Sequence, residues 1–424
     1  MKARSCTASV LALVFLILIP DGEATAQAGH LIDAVSGATV ADGVITVAGQ
    51  ERRADKSGAF RFDRNAYRVL ARAPGYRAAS LSVEELASSG GVLRLEPFTP
   101  RALYLTVYGI GSKKLTGDVL AIIGSGSANA LVIDLKGDRG IVPYPSAVQL
   151  TTNPGARAVT SIPNLRELVE TMHASGVYLI ARIVVFKDDP LAAARPDLAI
   201  KSLDGELFKD GEGLAWTDPF QAEVRNYNID LAVEAAQAGF DEIQFDYLRF
   251  PDSAIPLILA GDSSESARTD TITGFLMEAR RRLAPYNVFV AVDMFGYVCW
   301  NTSDSGIGQK LEEIAPYVDY LSPMLYPSGF TFGIPGARNP VAESYSIVYA
   351  SLEKARTRLN ISPKRFRPWL QAFKDYAFDR RSFDADEVAE QIRAATDFGS
   401  DGWMLWNAHN TYSETGLGAQ ESLK

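Results

Sequence analysis

The sequence predicts an α/β protein, a (β/α)8 TIM barrel with a small N-terminal all-β sandwich domain. Three observations predict it. From Arg101 onward, eight short apolar segments alternate with amphipathic helical windows, which implies parallel strands joined by helices. The helix-to-strand connections are short while the strand-to-helix connections are long, as in barrels that build their sites at the strand C-termini. Residues 29–97 instead carry short strands separated by turn residues at nearly regular spacing.

Residues 1–26 read as a signal peptide: Lys2 and Arg4, an unbroken apolar run from Val10 to Ile19, and the small-x-small stretch Ala24-Thr25-Ala26. The run is too short to span a bilayer comfortably, and no other segment is apolar enough, so no membrane span is expected after cleavage. Cys6 leaves with the signal, and Cys299 remains as a lone thiol without a disulfide partner. Export to the periplasm or the outside is the expectation.

In residues 29–97 strands are expected at Gly29–Asp33, Gly43–Val47, Gly58–Phe62 and Tyr67–Ala71. The order of Asp33 to Gly37, Asp55-Lys56-Ser57-Gly58-Ala59-Phe60 and Ala73-Pro74-Gly75-Tyr76 resembles the carboxypeptidase-regulatory-like β-sandwich, which implies an accessory domain. Glu96-Pro97-Phe98-Thr99-Pro100 reads as a stiff linker, so residues 101–424 are expected to fold by themselves.

Barrel strands are expected at 102–109, 130–136, 177–185, 242–248, 288–295, 318–325, 367–373 and 402–407, with helices at 164–174, 220–237, 269–284 and 384–397. Gly176, Gly239 and Gly399 follow three of these helices, where a left-handed residue ends the helix. Long loops at 137–163, 186–219, 249–268 and 326–342 gather on one face.

Parallel barrel strands are buried on both sides, so polar residues within them carry information. In Glu242-Ile243-Gln244-Phe245-Asp246-Tyr247, alternation sends Ile243, Phe245 and Tyr247 toward the helices and Gln244 and Asp246 into the barrel. The same parity turns Asp293 inward on the fifth strand, and Asp134 with Lys136 on the second. Arg182, Tyr326, Gln371, Trp403, Trp406 and Asn407 lie on the other strands, and Arg249 follows the fourth. Three inward carboxylates beside Arg and Lys fit either a buried ion-pair network or a catalytic group. Asp246 and Asp293, on adjacent strands, suit glycoside hydrolysis, in which one carboxylate attacks and another gives a proton. Trp216, Trp300, Trp403 and Trp406 offer apolar surface for sugar rings or ordinary core.

Other classes find little support. A net charge of −9 argues against a nucleic-acid partner. His30, His173 and His409 show no HxH or HExxH spacing, so no metal or organic cofactor is expected. No GxSxG elbow is present, and Cys299 has no cue for activation.

The segment Glu242-Ile243-Gln244-Phe245-Asp246-Tyr247-Leu248-Arg249-Phe250-Pro251, with Asp293-Met294-Phe295-Gly296, Ser322-Pro323-Met324-Leu325-Tyr326-Pro327, Arg367-Pro368-Trp369-Leu370-Gln371 and Gly402-Trp403-Met404-Leu405-Trp406-Asn407-Ala408, resembles a bacterial family of glycoside-hydrolase barrels first catalogued as a domain of unknown function. The resemblance spans roughly residues 101–412. It implies a barrel related to retaining glycosidases acting on a polysaccharide. In several such barrels an aspartate at the end of strand four is the nucleophile, the position of Asp246. The acid/base there is often a glutamate, where this chain has Asp293; Asp134 and Asp252 stay open as alternatives. The resulting expectation is an exported glycosidase, retaining as the resemblance implies, with Asp246 as nucleophile and Asp293 as acid/base. Arg249 or Arg182 would hold the carboxylates, and Asp134, Lys136, Tyr326, Gln371, Trp403, Trp406 and Asn407 would line the substrate site. The alternatives are a glycan-binding protein without turnover and a structural envelope protein.

Overall fold

The computed structural model describes residues 26–148, 150 and 155–417; residues 1–25 of the expected signal segment, Cys6 among them, lie outside these. The N-terminal region contains β1 (Ala26–Asp33), β2 (Val44–Val47), β3 (Gln50–Arg53), β4 (Ala59–Asp63), β5 (Arg68–Arg72), β6 (Ala79–Ser82), the short helix α1 (Val83–Ser88) and β7 (Val92–Leu95). One sheet runs β4-β1-β7 and the other β3-β2-β5-β6. Leu31, Ile45, Phe60, Phe62, Val69 and Leu93, from the inward faces of the strands, form its core with Leu86 of α1. The expected strands are all present. The sequence reading missed β3, β6 and β7: β3 reads Gln50-Glu51-Arg52-Arg53 and has no apolar alternation to betray it.

The barrel follows as β8 (Arg101–Leu105), α2 (Lys113–Gly124), β9 (Ala130–Lys136), α3 (Leu165–Ala174), β10 (Tyr178–Val184), α4 (Asp189–Ala194), β11 (Lys201–Ser202), α5 (Ala222–Ala238), β12 (Glu242–Asp246), β13 (Leu257–Ile258), α6 (Glu265–Leu283), β14 (Phe289–Phe295), α7 (Leu311–Ile314), β15 (Tyr320–Met324), α8 (Ser344–Leu359), β16 (Trp369–Gln371), α9 (Ala385–Phe398) and β17 (Trp403–Trp406). Eight of these strands close a parallel barrel in the order β10-β12-β14-β15-β16-β17-β8-β9. Strands β11 and β13 form a separate antiparallel pair between the loops that follow β10 and β12. Gly239 (φ +106°) and Gly399 (φ +85°) end α5 and α9 in the left-handed region, as expected.

Two apolar layers sandwich the barrel wall. Leu103, Leu131, Ile133, Ile243, Phe245, Val292, Leu321 and Leu370 face the helices. Ala102, Tyr104, Val132, Ile180, Ala291, Tyr320, Trp369 and Met404 fill the interior. The floor also buries an ionic network. Arg367 pairs with Glu242 and with Asp401 (3.3 Å), while Tyr178 and Tyr320 donate to those carboxylates at 3.0 and 2.7 Å.

The N-terminal region is fixed to this floor. Buried Arg72 pairs with Asp319 at 3.0 Å, Arg280 reaches Glu51 at 2.7 Å, and the Gly75 N–H donates to Asp401 at 2.9 Å. The segment read as a linker is packed too. Phe98 packs at 5.3 Å against Tyr178 with the rings tilted, and Arg77 lies 3.8 Å over the Phe98 ring. No helix among the described residues is long and apolar enough to cross a membrane.

Candidate active site

The C-terminal ends of β9, β10, β12 and β14 bring Asp134, Arg182, Asp246 and Asp293 together, as alternation requires. Arg182 is the hub. It donates from Nε (2.9 Å) and Nη2 (2.5 Å) to Oδ2 of Asp246, from Nη1 to Asp134 (2.7 Å), and from Nη2 to Asp138 (2.8 Å). Its guanidinium lies 4.7 Å over the Trp406 ring, which stacks on Tyr104 at 4.0 Å. Five N–H donors in a rigid fork allow one arginine to hold three carboxylates.

The carboxylates are not equivalent. Asp246 Oδ1 accepts the Tyr247 N–H at 2.6 Å. Asp293 has no exposed surface, and Trp369 donates to its Oδ1 at 2.8 Å. Burial first, and then the neighbouring charge of Asp246, push Asp293 well above the usual carboxylate range, opposed by Arg182, whose Nε lies 3.9 Å away. Burial likewise raises Asp134 to about 7, opposed by Arg182, while the Tyr104 hydroxyl donates to it at 2.6 Å. Asp138 differs from all of these, with a side chain 33% exposed at the mouth. Sequence reasoning missed it because it lies in the loop after β9, beyond the strand parity that singled out the others.

Tyr247 does not continue the strand toward the helices. Its φ is +47°, a conformation costly for a bulky L-residue, and this turn follows directly on Asp246. The ring packs at 5.7 Å on Trp216.

Beside this cluster lies a cavity of about 710 Å³, lined by Tyr326, Phe373, Tyr376, Trp406, Asn407 and His409 among others. Tyr326 and Trp406 connect the two: Asp293 and Asp246 act electrostatically on Tyr326, and Trp406 covers Arg182.

The family model described as "Putative glycosyl hydrolase domain" (DUF4015) matches residues 102–412, most of the chain. The chain belongs to this family. No curated protein matches it. Among solved structures, a hypothetical protein from Ruminiclostridium thermocellum ATCC 27405 is 34% identical over 45% of this chain and 96% of its own, with a TM-score of 0.38. The PgaB (BpsB) glycoside hydrolase domain from Bordetella bronchiseptica is 15% identical over 74% of this chain and 95% of its own, with a TM-score of 0.51. A beta-galactosidase from the psychrophilic Marinomonas ef1 is 11% identical over 73% of this chain and 54% of its own, with a TM-score of 0.50. The latter two likenesses are likenesses of fold.

Within the family barrel, several residues expected at the substrate site stand elsewhere. Lys136 is fully buried and pairs with Asp188 at 2.7 Å, also donating to Asn228 and the Val185 carbonyl. A register shift between Arg182 and Ile183 sets Lys136 opposite Ile183 and breaks the parity that would have turned it inward. Trp403 belongs to the helix-facing core; Met404 and Trp406 are the inward residues of β17. Gln371 is fully buried and spends its amide on Ser328 and the Phe373 carbonyl. Asn407 reaches the cavity but donates to the Ala372 and Thr411 carbonyls, so both amides shape loops. Arg249 has no carboxylate partner, and Arg182 alone holds the acids. Trp216 is buried and donates to Asp210, while Trp300 donates to Ser351 and packs against the helix-side core. Burial pushes the Cys299 thiol up to about 12, consistent with an inert side chain.

Proposed function

We propose that the chain is an exported glycosidase that cleaves a polysaccharide with retention of configuration. The observation that carries this reading is that Asp246 and Asp138 bind the same Nη2 of Arg182, at 2.5 and 2.8 Å. Their oxygens therefore stand within about 5 Å of each other, the spacing of a retaining pair. In this reading Asp246 attacks the anomeric carbon while Asp138 gives its proton to the departing glycosidic oxygen. Asp138 then takes a proton from the water that releases the sugar. Asp293, enclosed behind the wall, does not reach a leaving group. It acts through Asp246, as a positioning residue. Tyr326 and Trp406 supply the surface for the sugar.

Glycan binding without turnover is the second reading, favoured by one observation: Arg182 engages Asp134, Asp138 and Asp246 together and competes for the charge that catalysis needs. Incubation with a polysaccharide panel separates the two. New reducing ends whose first-formed anomer matches the substrate support the retaining enzyme. The inverted anomer would overturn the pairing of Asp246 with Asp138, and retention of a glycan without cleavage would leave the binder.

A further inference from the structure

Arg249 is about nine-tenths buried and takes no part in the reaction outlined above. The other deeply buried arginines each have carboxylate partners: Arg72 with Asp319 and Glu51, Arg182 with four aspartates, and Arg367 with Glu242 and Asp401. Arg249 has none within ion-pair distance. Its Nη1 donates to the Phe250 carbonyl at 3.0 Å, and no acceptor among the described residues meets Nε or Nη2. Those two nitrogens form one edge of the guanidinium, the edge that binds a carboxylate through two parallel hydrogen bonds. Three rings surround the group, Trp216 at 4.9 Å, Tyr247 at 5.0 Å and Phe295 at 4.8 Å from its central carbon. Phe295 is 40% exposed, so the cage opens to solvent.

Of the nearby acids two are already engaged, while the third, Asp252, is exposed and stands beyond ion-pair distance of Arg249. Asp246 is held by Arg182, and Asp210 by Lys187 at 3.1 Å and by the Trp216 N–H at 3.0 Å. Burial lowers the Arg249 pKa, with only long-range compensation from Tyr247, Asp246, Asp252 and Asp210. A buried cation with an open, paired set of donors lacks an anion. The rings restrict approach to that edge, which suits a planar two-oxygen group.

We propose that Arg249 binds the carboxylate of an acidic sugar unit in a subsite beside Asp246. This rests on the glycosidase reading for the subsite's purpose, but its binding test does not. The probes are D-glucuronate, D-galacturonate and their oligomers, each against its carboxyl-reduced neutral counterpart, titrated calorimetrically into the full chain carrying Asp246→Asn. The expected result is at least tenfold tighter binding of an acidic sugar than of its neutral form. Arg249→Met, checked for folding by its melting curve, should erase that preference while leaving neutral binding in place. Arg249→Lys, which keeps the charge without the fork, should lose most of it and serves if the Met variant does not fold. Equal affinity for acidic and neutral forms, no binding of any acidic sugar, or an acid preference that survives both substitutions would overturn the proposal. Tighter binding of sulfated or phosphorylated sugars would overturn the assignment to a carboxylate. An intact acid preference in a chain that hydrolyses no glycan would remove the glycosidase reading and leave the subsite.

Discussion

Arg182 grips one oxygen of Asp246 with two of its nitrogens, leaving the other oxygen to the backbone N–H of Tyr247. The carboxylate is thereby oriented from both ends before any substrate arrives. Asp246→Asn keeps the shape and removes the charge. Turnover should fall by about a thousandfold or more, on natural and activated aryl glycosides alike, because no leaving group substitutes for a missing nucleophile. Hydrolysis assays on both substrate types check this; near-normal turnover would remove Asp246 from the reaction.

Asp138→Asn should behave differently. Loss of a proton donor slows natural glycosides by about a hundredfold or more and spares aryl glycosides whose leaving groups need little protonation. Equal losses on the two substrate classes would return the acid role to another carboxyl, with Asp134 next in reach of Arg182.

Asp134 sets a pH dependence of stability. Its carboxyl is raised from 3.8 to about 7 in the folded chain, so its proton favours folding fully below about pH 4. That contribution is lost as pH rises toward 7, at up to about 1.4 kcal/mol per pH unit. Asp293 contributes with the same sign. Asp134→Asn should therefore flatten the decline in stability between about pH 4 and 7. Denaturant unfolding of both proteins across that window measures the difference in slope; parallel curves would contradict a raised Asp134.

Arg72 joins the N-terminal region to the barrel floor. Against the pull of burial, Arg72 and Arg280 hold Asp319 well below the usual carboxylate range. Removing one partner of such a buried pair costs about 3–5 kcal/mol, so Arg72→Met should lower stability by that order. A fragment of residues 101–424 loses Arg72, Glu51 and the Gly75 N–H together. It should be less stable than the whole chain. A fragment melting like the full chain would show the contact to be dispensable.

Two tryptophans on one strand should part ways. Trp403→Ala opens the helix-facing core and should cost about 3–5 kcal/mol with KM little changed. Trp406→Ala acts at the mouth and should raise KM several-fold. Chemical denaturation beside kinetics distinguishes them.

The architecture was legible because its cues are periodic. All eight barrel strands, the glycine-ended helices and the long-loop face follow from alternation and turn chemistry, as does the meeting of Asp134, Arg182, Asp246 and Asp293. What escaped depends on where a strand stops or slips. One register shift turned Lys136 outward, and a positive φ turned Tyr247 out of line with Phe245. Asp138 belongs to no repeating pattern, and the pairing of Arg72 with Asp319 joins residues far apart in the chain, which no local period can announce.

The small ladder between β11 and β13 has a consequence of its own. Lys201 pairs with Ile258 and Ser202 with Leu257, and the Ala260 N–H donates to Asp218 at 2.6 Å. Two rim loops that are separate in sequence are thus stitched into one piece of wall. A lengthening of one must be answered in the other, so new substrate preferences on this side of the barrel would arise through paired changes, and loops transplanted singly from a relative would arrive without their seam.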